Sequence, residues 1–391
     1  MSNSVSEFFS KEGIKKFKSG VKAYAERQAV KVAAASMILA GAFASNAIAR
    51  GGVEQTPELE SKQVTAYAIT EKGDTLCSYQ AQKTDSASFA RLQGLVNNAT
   101  KTKTGCEILK NISEQNTVLS MGEAGSGVVG FFAPDQNAIV LNDCFDDAML
   151  QSCLVHEGKH SVQSFSLNRS VDNSNSFYTN TMISRVMEAD AVATQTKFSY
   201  EMAQLGDSAA WKSLQEEHKG ITDTFEAGAK KYGKDKNKTM RETMLAWYKD
   251  KEYAGLYDKS LIQFHQNITM NGSKDMVESS FTGSINTDKL IRAVCKLNGK
   301  TYAKDGSLLT TPETAWLSRG DYFKMRVVNS ALDIKTGRQD SSVAFMYPLE
   351  KDGTVSRFTY AEEAQIKARQ AKQAKQSQMA VNTLKMNMKA R

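Results

Sequence analysis
Two of the chain's four histidines stand four residues apart, in the run His156-Glu157-Gly158-Lys159-His160. Residues at i and i+4 project from one face of a helix, so a helix here would bring two imidazoles together with a carboxylate close by. The residues before the run support that reading. Asp143, Asp146 and Asp147 suit a helix start, where carboxylates meet the positive end of the helix dipole. Met149, Leu150, Cys153, Leu154 and Val155 then make the segment apolar nearly all round, the pattern of a helix buried on every side. Such a helix needs a core around it, and 391 residues are enough to build one.

Two imidazoles at this spacing can grip one zinc ion, with Glu157 beside the attacking water. A hydrolytic zinc takes a third protein ligand and keeps one position open. The next carboxylates on a helical pattern are Glu188 and Asp190, in Ser184-Arg185-Val186-Met187-Glu188-Ala189-Asp190-Ala191. Two residues along a helix turn it by about 200°, so a straight helix aims only one of them at the metal. The other can hydrogen-bond a ligand histidine instead. Glu188 is the leading candidate and Asp190 its rival, and the faces of the helix help little in choosing between them. Tyr178, Arg185 and His265 are of the right type to stabilise an oxyanion. His218 reads as a surface residue and Trp211, Trp247 and Trp316 as core.

Gly127–Phe132 and Ala138–Asn142 read as two strands around the turn Pro134-Asp135-Gln136-Asn137, a β-hairpin directly before the metal-motif helix. A strand is expected over 63–70 and helices over 85–98, 177–205, 208–219, 221–232, 238–266 and 288–297. A Gly/Ser/Asn-rich break falls near 271–286, and 297–360 mixes short elements. The fold class is therefore α+β and mostly helical. The expected division is an export signal or anchor over 1–49, a body over 50–360 with its core at 127–206 and a helical lower part at 207–360, and a basic tail over 361–391.

The hairpin, the motif helix and the second carboxylate helix together resemble the gluzincin clan of zinc metallopeptidases. Ser184-Arg185-x-x-Glu188 with Ala189-Asp190 is also similar to the Ser-Arg-x-x-Glu and Ala-Asp elements of HtpX-like membrane peptidases. The resemblance covers about 75 residues from Gly127, and kinship with uncharacterised bacterial metallopeptidases fits it. It implies a zincin-like fold, zinc held by His156, His160 and Glu188, and hydrolysis of a protein or peptide by a metal-activated water with Glu157 as general base. Gly158 and Lys159 stand where the family usually has uncharged, often bulky residues.

The net charge of +7 sits at the two ends of the chain. Residues 1–49 carry seven basic and three acidic residues, residues 361–391 seven and two, and the body 36 and 38. A body without a basic face excludes a nucleic-acid binder. Lysines from Lys11 to Lys31 precede the apolar run Val32–Ala44, and Ala47-Ile48-Ala49 fits an export cleavage site. The chain is thus expected in the periplasm or secreted, or else held at a membrane by residues 32–49. Export would permit the pairs Cys77–Cys106 and Cys144–Cys153. Two alternatives use the same site: an inactive zincin-fold envelope binding protein, and a zinc amidase acting on cell-wall peptides.

Overall fold
The computed structural model describes residues 62–389, apart from 84, 125–126, 168–170 and 234; the export segment lies outside the described residues. The chain opens with β1 (Lys62–Ile69) and β2 (Thr75–Lys83), then α1 (Ser86–Ala99), α2 (Lys103–Glu114) and β3 (Val118–Gly122). The hairpin β4 (Gly130–Ala133) and β5 (Ala138–Asn142) follows, and then two long helices, α3 (Asp147–Leu167) and α4 (Phe177–Gln204). Next come α5 (Ala209–Glu217), α6 (Lys219–Tyr232), α7 (Lys236–Trp247), α8 (Lys251–Asn271), α9 (Lys274–Glu278) and α10 (Thr287–Val294). The strand pairs β6 (Lys296–Leu297) with β7 (Lys300–Thr301), and β8 (Trp316–Ser318) with β9 (Tyr347–Leu349), frame α11 (Arg319–Thr336), and α12 (Tyr360–Lys389) ends the chain. The architecture is α+β, mostly helical, with one small mixed sheet of order β1-β2-β3-β5-β4.

The expected hairpin forms, with Phe131 opposite Val140 and Phe132 opposite Ile139. It leaves β4 at the sheet's edge. The motif helix α3 starts where the aspartates predict, since Asp146 accepts the Met149 N–H at 2.9 Å. One core fills the space between the sheet and α1, α2 and α3, closed by Phe198 and Met202 from the end of α4. A second surrounds the earlier turns of α4, where Ile183, Val186 and Ala189 meet Met244, Trp247, Tyr257 and Leu261. Helix α4 thus belongs to both cores, and its carboxylates are carried into the interior with it.

Gly158 explains one oddity of the motif. A Cβ there would lie 2.4 Å from Ile108 Cγ2 and 3.1 Å from Ile112 Cδ1 on α2. The helices approach so closely that only glycine fits, which offsets its usual cost of about 1 kcal/mol in a helix. Gly130 plays the same part under β4, where a Cβ would fall 2.8 Å from Cys153 Sγ.

Three expectations need correction. The span 238–266 is two helices, because Asp250 accepts the Tyr253 N–H at 2.9 Å and starts α8 afresh. The strands β2 and β3 and the helix α2 were not expected. All five cysteines are free thiols. Cys77 Sγ points at Leu109 O (3.5 Å) and Cys106 Sγ at Thr100 O (3.0 Å), while Cys153 is buried and Cys144 exposed. The basic tail is a helix rooted by Tyr360, stacked on Tyr322 at 3.6 Å, and by Arg319 against Glu350 and Glu363. No helix among the described residues is long and apolar enough to cross a membrane.

Replacing Gly158 with Ala should lower the unfolding free energy by about 1–3 kcal/mol, the usual cost of overpacking. Urea midpoints at constant slope measure it, and an unchanged midpoint would remove the close approach of α2 and α3 as an explanation of this residue.

Candidate metal centre
His156, Glu157 and His160 lie on the inner face of α3, and Glu188 on the facing turn of α4; all four are buried. The two Nε2 atoms are 3.1 Å apart. Glu188 Oε1 is 3.4 Å from His156 Nε2, and Glu188 Oε2 is 3.3 Å from His160 Nε2. One ligand atom from each of the three residues falls within 4.8 Å of the others.

The protons on the imidazoles follow from their neighbours. Gln163 uses its Nε2 to donate to Asp190 Oδ2 (2.7 Å) and Met187 O (2.8 Å). Its Oε1 is therefore left to accept from His160 Nδ1 at 2.8 Å. Gln195 donates to Ser152 Oγ (3.1 Å), whose own proton goes to Met149 O, and so Gln195 Oε1 accepts from His156 Nδ1 at 3.0 Å. Both histidines are protonated at Nδ1 and present Nε2 to Glu188, the atom that becomes a metal ligand once any proton on it is displaced.

The charges ask for a cation at this point. Burial pulls the His156 imidazole down, but the Glu188 and Glu157 carboxylates more than reverse that and take it up to about 9. Burial would raise Glu188, yet His156 and His160 hold it well below the usual carboxylate range. Burial pushes Glu157 up, against the pull of the same two imidazoles. Glu188 Oε2 is buried without a hydrogen-bond donor of its own. An orphaned carboxylate oxygen beside two imidazole Nε2 atoms fits a metal such as zinc, which takes nitrogen and oxygen donors together.

The model of the "Putative metallopeptidase family (DUF6782)" matches residues 69–303, which include both helices of this centre. The chain belongs to this family. Membership points to a metal-dependent hydrolase whose substrates are proteins or peptides. No curated protein and no solved structure matches the chain.

The other candidates lie elsewhere. Asp190 turns away from the centre and accepts from Tyr302 OH (2.6 Å), Gln163 and the Lys159 ammonium (3.1 Å). It steadies His160 through Gln163 rather than facing the metal position. Lys159 is consumed there as well, donating also to Lys296 O at 2.7 Å. Arg185 donates two buried hydrogen bonds to Asp258 (3.0 and 2.6 Å), donates to the Thr314 and Trp316 carbonyls and lies 4.0 Å over the Trp316 ring. Tyr178 is at the first turn of α4, its N–H donating to Ser342 Oγ. His265 stacks on Phe281 at 4.2 Å beside Phe177 and Phe264. None of these three is placed to touch an oxyanion at the centre. His218, expected at the surface, is buried with its ring 5.0 Å from Tyr253.

Sequence reasoning missed Gln163, Gln195, Tyr253 and Tyr257. Gln163 is one turn beyond His160, and Gln195 two turns beyond Glu188, so helical spacing alone could have nominated both. Tyr253 and Tyr257 carried no such signal; they arrive from α8. Tyr253 OH donates to Glu188 Oε1 at 3.4 Å, and burial keeps both phenols protonated by pushing them well up.

Two outcomes are expected. Gln163→Leu and Gln195→Leu should each weaken metal affinity by about 10–100-fold, the usual effect of removing a partner that orients a ligand. Competition against a chelator reads this directly, and unchanged affinity in both would dismiss the tautomer argument. Separately, burial pushes His265 from 6.5 down to about 3. Its folded value lies below its unfolded one, so the neutral ring's contribution is complete above pH 6.5 and lost as pH falls toward 3. The slope is about 1.4 kcal/mol per pH unit for one proton. Unfolding free energies between pH 7 and 5 should fall less steeply in His265→Gln than in the parent, and parallel profiles would contradict a neutral, buried His265.

Proposed function
We propose that this chain is an exported, zinc-dependent peptidase of gluzincin type, with His156, His160 and Glu188 as metal ligands and Glu157 as general base. The observation that carries this reading is the meeting of two imidazole Nε2 atoms with an orphaned carboxylate oxygen, beside the second buried carboxyl of Glu157. Zinc suits a set of two imidazoles and one carboxylate better than magnesium or calcium, which favour oxygen alone. Bound there, it would polarise the scissile carbonyl and acidify a water.

The chain's own residues supply the rest. Glu157 Oε1 lies 4.0 Å from His156 Nε2, and its Oε2 accepts the Phe132 N–H at 2.9 Å. A carboxyl raised by burial is suited to take the proton of an attacking water and pass it to the leaving amine. Phe132 belongs to the edge strand β4, so the bond ties the proton carrier to an open sheet edge. An extended peptide added to that edge by β-augmentation would run past Glu157. Tyr253 holds Glu188 in place from behind. The arrangement of edge strand, motif helix and second ligand helix is what supports a zincin-like reading of the fold. Export rests on the sequence of residues 1–49 alone, with cleavage after Ala49 or retention through residues 32–49 as its two forms.

Zinc content, by elemental mass spectrometry of the chain beginning at Arg50, should be one per chain and should vanish in Glu188→Ala. Asp190→Ala should retain zinc with weaker affinity. Glu157→Gln should retain it fully while casein cleavage falls by about 10²–10⁴-fold. No zinc in the unaltered protein after supplementation would refute the reading. Zinc with no cleavage of casein would leave the binding scaffold or, if purified cell wall is cut, the amidase.

A further inference from the structure
A chemically distinctive feature outside the metal centre is a cavity of about 460 Å³ where the far end of α4 meets α2, α6 and α7. Its size falls in the range of small-molecule sites, which often lie between packed helices. It begins at Lys197, nine residues beyond Glu188, or about 14 Å along the helix. Tyr200, Leu205, Phe225, Ala229 and Met240 give it apolar walls. Leu205 is 61 % exposed at the rim.

The polar groups are almost all of one sign. Lys101, Lys103, Lys197 and Lys236 line the cavity against a single acid, Glu201. Lys101 is paired with Glu71 at 3.5 Å, and the buried Lys197 with Glu201 at 2.5 Å. Lys103 and Lys236 are exposed and make no ion pair among the described residues. The mouth also faces the N-terminus of α2, whose dipole favours an anion. Glu201 already shows what the place accepts, because its Oε2 takes the Thr104 N–H at 3.0 Å. Burial lowers the Lys197 ammonium, against the pull of Glu201.

We infer that this cavity binds a small amphipathic carboxylate of fatty-acid type, its hydrocarbon body on Tyr200, Leu205, Phe225 and Met240 and its head between Lys103 and Lys236. A peptide fits less well. Its backbone would bring N–H and C=O groups that need partners, and the walls are helices whose backbone groups are already bonded internally. The inference is independent of the peptidase reading, since no residue of the cavity belongs to the metal centre.

Isothermal titration of the full chain with dodecanoate tests it, with dodecyltrimethylammonium as a probe of equal chain length and opposite charge. Dodecanoate should saturate at one molecule per chain and the cation should not. The double variant Lys103→Glu, Lys236→Glu should bind dodecanoate at least tenfold more weakly with unchanged helix content, because both side chains are exposed. Ala229→Phe should weaken it similarly by filling the cavity without altering charge. Absence of saturable binding, equal binding of the cation, or full retention in the lysine variant would each overturn the inference.

Discussion
The packing of α3 against α4 is the constraint on which the rest depends, because it buries ionisable groups from both helices in one contact. His156, Glu157, Lys159, His160, Arg185, Glu188 and Asp190 are all at least nine-tenths buried. An uncompensated buried ion costs several kcal/mol, so a fold of this kind survives only if each charge meets its opposite inside. Lys159 answers Asp190, and Arg185 answers Asp258. These two pairs also join distant parts of the chain, since Arg185 reaches α8 and β8 while Lys159 reaches β6. Among the described residues Glu188 meets no lysine or arginine; the charge that answers it is a cation at the two imidazoles, a proton on His156 or a metal in its place.

The middle residues of the motif serve this packing. Gly158 lets α2 come within van der Waals contact of α3, and Lys159 neutralises Asp190 across the α3–α4 contact. Asp190 in turn sets the amide of Gln163, which sets the proton on His160. Residues that look out of place beside a metal motif are the ones that steady its geometry. Gln195 performs the same service for His156 from the other helix, so each helix orients a histidine of α3.

Local patterns in the sequence were enough to read the hairpin, the motif helix and the long helix after it, because each depends on turn chemistry, caps and spacing carried by its own residues. The pairing of His156 with His160 was legible for the same reason, whereas the helix faces helped little in choosing Glu188 over Asp190 and the family resemblance favoured Glu188. What was not legible depends on partners far along the chain. Nothing local in β3 announces a strand that gains its meaning from parallel neighbours on both sides. Asp190 and Arg185 looked like site residues because their partners, Tyr302, Asp258 and the Thr314 and Trp316 carbonyls, lie 73 to 131 residues away. His218 looked exposed because its acidic and basic neighbours in sequence are, yet the ring turns in against Tyr253.

Glu157 and Glu188 show how one interior gives two carboxyls opposite characters. Both are buried, and burial alone would raise both. Glu188 faces two imidazoles at 3.3 and 3.4 Å and is held as a permanent anion. Glu157 is further off, 4.0 Å from His156 Nε2; burial outweighs the pull of the two imidazoles and of the Phe132 N–H, so its affinity for a proton rises. Pairs of carboxyls driven apart in this way divide the labour of acid–base chemistry: one keeps its charge to hold a cation, the other can take up and release a proton. The division comes from less than 1 Å of difference in distance, and that distance is fixed by where β4 lets its Phe132 amide meet α3.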